Sequence, residues 1–143
     1  MQCEDLMHED VECARGDDDA RTVARRMKER DIGFIPVCDD EKRVIGTITD
    51  RDLAIRLVAE GKPGSTRASD LMTRQVVACR GTDDIGEAER LMAKHQKSRI
   101  LCVDDEEHLI GVITLADISQ EEEPDRVGDT IRHVKQGAPQ THA

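Results

Sequence analysis

Apolar and polar positions along this chain follow two rhythms, a strand rhythm and a helix rhythm, and the same succession of both occurs twice. The runs "FIPVC" (34–38) and "VIGTIT" (44–49) are short and β-rich and flank the charged stretch "DDEKR", which predicts a hairpin; "RILCV" (99–103) and "LIGVIT" (109–114) repeat it around "DDEEH". Ahead of each hairpin, apolar residues return at helical spacing: Ala20, Val23, Ala24 and Met27, then Ile85, Ala88, Leu91 and Met92. Thr82 reads as the N-cap of the second of these helices, with Asp83 and Asp84 in the first turn, where carboxylates oppose the helix dipole. A short strand precedes each helix, around Val11–Ala14 and Val76–Cys79, and "SDLM" (69–72) predicts a helical turn capped by Ser69. A further helix follows each hairpin. In the first copy, "DLAIRLVAEG" ends with Gly61 at the C′ position, and "KPGST" (62–66) leads into the second copy.

Sliding the sequence on itself by 65 positions aligns residues 5–53 with 70–118 without a gap, and 19 of the 49 pairs are identical. The landmarks stay in register: "DLM", Arg-Gly at 15–16 and 80–81, "DDE" at 39–41 and 104–106, and "VIGTITDRDL" against "LIGVITLADI". This is an internal duplication. Units of about 60 residues bury too little surface to be secure alone, so two of them in 143 residues are expected to pack on each other. The predicted organisation is a first unit at 1–61, a linker at 62–68, a second unit at 69–119 and an acidic extension at 120–143. In that extension Val127, Ile131 and Val134 form an apolar stripe after Pro124, suited to a short helix docking on the body or on a second chain, and "GAPQTHA" reads as a loose tail.

Charge narrows the partners. The formal net charge is −10, so the average field repels nucleic acid and anionic membranes. No apolar run approaches the about 20 residues that span a bilayer, and the start "MQCEDLMHED" is acidic where a signal peptide is basic and then apolar, which reads as a cytoplasmic protein. The five cysteines (Cys3, Cys13, Cys38, Cys79, Cys102) are scattered and never spaced as C-x-x-C; four lie in or beside apolar stretches and read as buried reduced thiols. The acidic runs at 17–19, 39–41, 104–106 and 121–123 lack the spaced ligands and glycine of an EF-hand and read as solvated turns and helix starts. The five histidines share no metal-site spacing, and no nucleophile is paired with a base, so neither a metal site nor an enzyme is predicted.

The remaining chemistry lies in the repeated G-x-x-T-x-x-D at 46–52 and 111–117. A threonine at a helix start puts a hydroxyl beside free backbone N–H groups, and an aspartate one turn on can accept hydrogen bonds from both hydroxyls of a ribose. Gly46 and Gly111 let backbone or ligand approach where a side chain would intrude. The same letters also spell a capping box, in which threonine and acid satisfy each other's backbone N–H groups. Both readings stand at this level, and one does not exclude the other.

On these residues ("DLM", the strand-helix-hairpin order and two G-x-x-T-x-x-D turns in register) the chain resembles the tandem CBS-domain (cystathionine-β-synthase domain) pair, or Bateman module, over about residues 1–119. The resemblance implies an α/β (α+β) fold of two β-α-β-β-α repeats, related by a pseudo-twofold axis, packed sheet to sheet and commonly dimerised. It also implies a regulatory rather than catalytic protein, signalling to a partner protein, with AMP, ADP, ATP or S-adenosylmethionine as ligand in one of two clefts at the repeat junction. A ligand-free homodimer serving as a protein-interaction or stress-related scaffold is the alternative. Carried onto this sequence, Thr49, Asp52 and Arg51 face Val77, Ala78, Lys97, Ser98 and Arg99 in the first cleft. Thr114 and Asp117 face Val11, Cys13, Gly33 and Phe34 in the second, where Leu115 and Ala116 replace Asp50 and Arg51 and no loop cation meets a phosphate. Lys97 and Arg99 read equally as solvated residues or partners of the acidic turns. Phe34 is the single aromatic residue, so adenine recognition falls to backbone groups and aliphatic side chains.

Overall fold

The computed structural model describes residues 1–121 and 131–134, so Val127, most of the acidic run at 121–123 and the "GAPQTHA" tail lie outside the described residues. In chain order the elements are α1 (Cys3–Leu6), β1 (Ala14–Arg15), α2 (Ala20–Arg30), β2 (Phe34–Cys38), β3 (Val44–Thr49) and α3 (Asp50–Asp52). The second copy supplies α4 (Ala68–Leu71), β4 (Ala78–Arg80), α5 (Ile85–His95), β5 (Arg99–Val103), β6 (Leu109–Thr114) and α6 (Leu115–Ser119). Each copy thus has the predicted β-α-β-β-α order in an α+β fold. In each three-stranded sheet the first strand pairs parallel to the second and the hairpin closes the sheet antiparallel, in the orders β1-β2-β3 and β4-β5-β6.

The compact units do not follow the repeat boundaries. One is Glu12–Val76; the other joins Met1–Val11 to the chain from Val77 onward. Each repeat's leading helical turn therefore packs in the unit built from the other repeat's sheet. In the unit 12–76, Ala68, Leu71 and Met72 join Val23, Met27, Ile35, Val37 and Ile48 in one buried cluster. In the other, Cys3 of α1 is buried with Ile85, Ala88, Met92, Ile100 and Ile113, and Val134, in a helical turn at 131–134, packs against that cluster.

What admits the exchanged segment is a glycine. Met72 and Thr73 lie so close over β3 that a Cβ on Gly46 would stand 2.6 Å from the Met72 sulfur and 2.9 Å from the Thr73 carbonyl oxygen. Thr47 and Thr73 then exchange two backbone hydrogen bonds, of 3.0 and 2.8 Å. In the other unit Gly111 lies 2.7 Å from the Met7 sulfur and 2.9 Å from the His8 carbonyl by the same measure, and His8 and Val112 exchange bonds of 2.8 and 3.0 Å.

Several local expectations shift. Helix α5 is capped by Asp84, which accepts from the Gly86 N–H, and starts at Ile85, so Thr82 and Asp83 precede it. Asp83 instead accepts from the Arg80 N–H at 2.9 Å. Helix α4 starts at Ala68 after Arg67, which places Ser69 inside the turn, its N–H donating to the Gly16 carbonyl at 3.0 Å. The strands β1 and β4 begin two or three residues later than expected, at Ala14 and Ala78. After Asp52 the helix widens into a π-helix, Leu53–Val58, with Ala59 N–H bonded to the Ala54 carbonyl at 2.9 Å. Gly61 does lie past its end with φ of +68°, the left-handed conformation that favours glycine.

Gly46→Ala and Gly111→Ala are each expected to cost about 1–3 kcal/mol, because the new methyl group meets a backbone carbonyl that cannot swing away. Urea unfolding checks this, and wild-type stability in both variants would show that the close approach does not hold the segments.

Candidate functional site

In the unit 12–76 the site begins where β3 runs into α3. Thr49 is extended (φ −111°, ψ 164°), which aims its side chain at the first helical N–H groups. Its Oγ1 accepts from the Asp52 N–H at 3.1 Å, and Asp52 Oδ2 accepts from the Thr49 N–H at 2.9 Å, a reciprocal capping box. The second carboxylate oxygen of Asp52 meets Arg56 Nε at 3.9 Å, an ion pair beyond hydrogen-bond length. Phe34 stands opposite Thr49 in the hairpin, and the Asp50 N–H donates to the Gly33 carbonyl at 3.0 Å. The Asp50 carboxylate covers Gly33, where a Cβ would be 2.6 Å from its oxygen. The loop before β2 is thereby tied to the turn. Arg51 is exposed on the same turn.

The other unit builds the same box from Thr114 and Asp117. Asp117 Oδ2 accepts from the Thr114 N–H at 3.0 Å and from the Thr114 hydroxyl at 2.8 Å, while Thr114 Oγ1 accepts from the Asp117 N–H at 3.2 Å. Here the second oxygen is taken: His8 Nε2 donates to Asp117 Oδ1 at 2.9 Å. Burial alone would raise the Asp117 carboxyl, but the hydrogen bonds from Thr114 and His8 outweigh it and hold the group below its ordinary value. The Leu115 N–H donates to the Ser98 carbonyl at 2.8 Å, and Arg99 stands opposite Thr114, the register position of Phe34 in the first hairpin.

Each hairpin loop is thus bound to the turn of its own unit. Gly33, Phe34 and Cys13 belong to the unit of Thr49, Arg51 and Asp52; Val11, Val77, Ala78, Lys97, Ser98 and Arg99 belong to the unit of Thr114 and Asp117. Within units, the loop cations accompany Asp117 and the aromatic accompanies Asp52. His8 was not found by sequence reasoning, since its contact with Asp117 spans 109 positions and leaves no local spacing. Asp50 was seen only as a charge difference between the copies. Among the described residues, no group of three or more His, Cys, Asp or Glu side chains is placed to hold a metal ion, and no helix is long and apolar enough to cross a membrane.

The CBS domain family profile matches residues 3–59 and 68–123. An uncharacterized protein of Bacillus subtilis, YlbB, is 35% identical over 135 residues, 93% of this chain and 90% of its own length. The crystal structure of Hypoxic Response Protein I, which holds two coordinated zinc ions, shares 31% identity with a TM-score of 0.76 over 86% of this chain and all of that one. The cytosolic domain of the Mg²⁺ channel MgtE, solved in complex with ATP, shares 26% identity with a TM-score of 0.75 over 85% of this chain and 48% of that one.

A carboxyl whose value is lowered on folding adds stability above its unfolded value and loses that contribution as pH falls through the folded one. The stability gap between wild type and Asp117→Asn is therefore expected to be full at about pH 6 and to close as pH falls well below the ordinary aspartate value of 3.8. Urea titrations at both ends measure it, and a gap that does not change with pH would show that the charged form contributes nothing.

Proposed function

This chain belongs to the CBS domain family, and from that premise we propose that it is a regulatory, ligand-sensing module without catalysis of its own, whose Asp52 turn takes the ribose of an adenine nucleotide. The observation that supports this is the difference between the two aspartates. Both commit one oxygen to a capping box, but among the described residues the remaining oxygen of Asp52 meets Arg56 alone, in a long ion pair, whereas that of Asp117 is hydrogen-bonded to His8. A ribose diol offers two hydroxyl donors, and a carboxylate oxygen with spare lone pairs is the acceptor it needs. Arg51 on the same turn is the cation for a phosphate, while Asp50 and Asp52 beside it disfavour a highly charged tail. The ATP held by the MgtE cytosolic domain supports the ligand class. A ligand seated there would change the unit's stability and be read by a separate partner protein.

Calorimetric titration with AMP, ADP, ATP and S-adenosylmethionine tests this. One site per chain is expected, with Asp52→Asn weakening it at least tenfold, about 1.4 kcal/mol, and Asp117→Asn leaving it unchanged. No heat at concentrations that detect a dissociation constant of about 1 mM overturns the proposal.

A second reading, an interaction module that acts as a homodimer, is favoured by the π-helix. Ile55 and Val58 are 45% and 72% exposed there, large apolar side chains left on the surface. On this reading the protein sediments as a dimer and Val58→Asp shifts it to monomer; a wild-type monomer at about 100 μM would remove that reading.

A further inference from the structure

The five cysteines occupy two different settings. Three lie in the unit that contains β4, β5 and β6: Cys79 and Cys102 are directly opposite on adjacent parallel strands with sulfurs 3.6 Å apart, and the Cys3 thiol donates to the Asp84 carbonyl at 3.7 Å. All three are buried. The hydrogen bond with Cys102 and burial push the Cys79 thiol up to about 12, and Cys3 is pushed up further by Cys79 and by burial. Thiols of this kind are small apolar side chains, not nucleophiles.

Cys13 and Cys38 are set differently. Cys13 directly precedes β1, and because Arg15 stands opposite Cys38 on β2, alternation puts Cys13 on the same face of the sheet as Cys38. The two thiols lie close enough to shift each other's titration, and the Cys13 thiol donates to the Ala14 carbonyl at 3.7 Å. Cys38 is buried, at 1% exposure, whereas Cys13 is only half-buried at the end of the strand, where the chain enters from a loop. The Arg26 guanidinium donates to the Cys13 carbonyl at 3.2 Å and is itself held by Asp18 at 3.1 Å, which fixes the backbone of Cys13 beside its partner. Lys42, in the turn of the β2-β3 hairpin, and Arg15 place positive charge near the Cys13 sulfur.

We propose that Cys13 and Cys38 form an oxidisable dithiol in which Cys13 attacks a small hydroperoxide and Cys38 resolves the product to an intramolecular disulfide. In the first step the Cys13 thiolate displaces water from hydrogen peroxide. An S–O bond forms, the O–O bond breaks, the sulfur loses two electrons, and the leaving oxygen departs as water after taking a proton. In the second step Cys38 sulfur attacks the sulfenic sulfur; an S–S bond forms, the S–O bond breaks, and hydroxide leaves with the Cys38 proton as a second water. Two thiols and one peroxide thus give one disulfide and two waters. The polarity of the pair follows its surroundings: the neighbouring Cys38 thiol, followed by the Lys42 and Arg15 charges, lowers the Cys13 thiol, while the neighbouring Cys13 and burial raise that of Cys38.

The test uses the full chain, reduced, freed of reductant and exposed to about one equivalent of hydrogen peroxide, then blocked with iodoacetamide and mapped by mass spectrometry without reduction. The other repeat supplies conservative replacements, since alanine (Ala78) and valine (Val103) stand at the matching positions. Wild type is expected to give a Cys13–Cys38 disulfide, with Cys3, Cys79 and Cys102 recovered as free thiols. Cys38→Val is expected to trap Cys13 as a sulfenic acid captured by dimedone, at least about tenfold faster than any other cysteine, and Cys13→Ala to give neither product. Circular dichroism establishes that the variants are folded, and the wild-type map decides alone if one is not. A Cys79–Cys102 disulfide forming first, no disulfide at all, or Cys13 oxidising no faster than the buried thiols would each overturn the proposal.

Discussion

The close approach of a methionine and a backbone carbonyl to a strand glycine, at Gly46 and again at Gly111, is the constraint on which the rest of the structure depends. It lets the segment after each helical turn lie against the hairpin and add two backbone hydrogen bonds to its edge. Two or three strands with one covered face are marginal alone, so the segment's leucine and methionine complete the core of each unit, buried as Leu71 and Met72 in one and partly buried as Leu6 and Met7 in the other. The same ladder fixes which side chain lies next to each aspartate. Residues 8 and 73 hold equivalent places in it, and the first is a histidine long enough to reach Asp117, where the second is a threonine. The unlike surroundings of the two aspartates therefore follow in part from one substitution in this segment, together with Arg56, whose counterpart in the second copy is Glu121.

The capping boxes explain how one pair of residues can serve both stability and recognition. A reciprocal box contributes about 1 kcal/mol to a helix start and uses one carboxylate oxygen and the threonine hydroxyl. The other oxygen is not required for the cap. In a duplicated protein the cap can be kept in both copies while that second oxygen is engaged in one and left to an ion pair in the other. Helix starts this short gain much from the cap and little from length, which is why Thr and Asp stand at both turns whatever else they do.

The duplication, the hairpins and the box residues were legible in the sequence because each is a local pattern that repeats in register. Helix starts were legible only to within a few residues. "GTDD" offers three capping side chains in succession, and the choice of Asp84 over Thr82 is made by Ile85, which must enter the core as the first helical residue. Ser69 loses to Arg67 as the residue before the helix for a related reason: Ala68 is fully buried and its N–H donates to the Asp18 carbonyl at 2.8 Å. The exchange of leading segments was illegible in principle, since a chain written twice reads the same whichever sheet each "DLM" turn joins. Within each unit, hairpin register ties Gly33 to Asp50 and Ser98 to Leu115.

The cysteines show how the two copies have diverged under the same packing rules. Opposite Cys13, Cys38, Cys79 and Cys102 the other repeat carries alanine, valine, alanine and valine, so cysteine here substitutes for a small apolar residue of similar volume. Packing alone therefore does not distinguish one thiol pair from the other. What separates them is depth: the pair across β4 and β5 lies mid-strand in a closed core, whereas Cys13 lies where a strand begins and the chain still meets solvent. A substitution that is neutral for the core becomes chemically consequential only at such an edge, where a thiol can meet both water-borne reagents and a buried partner.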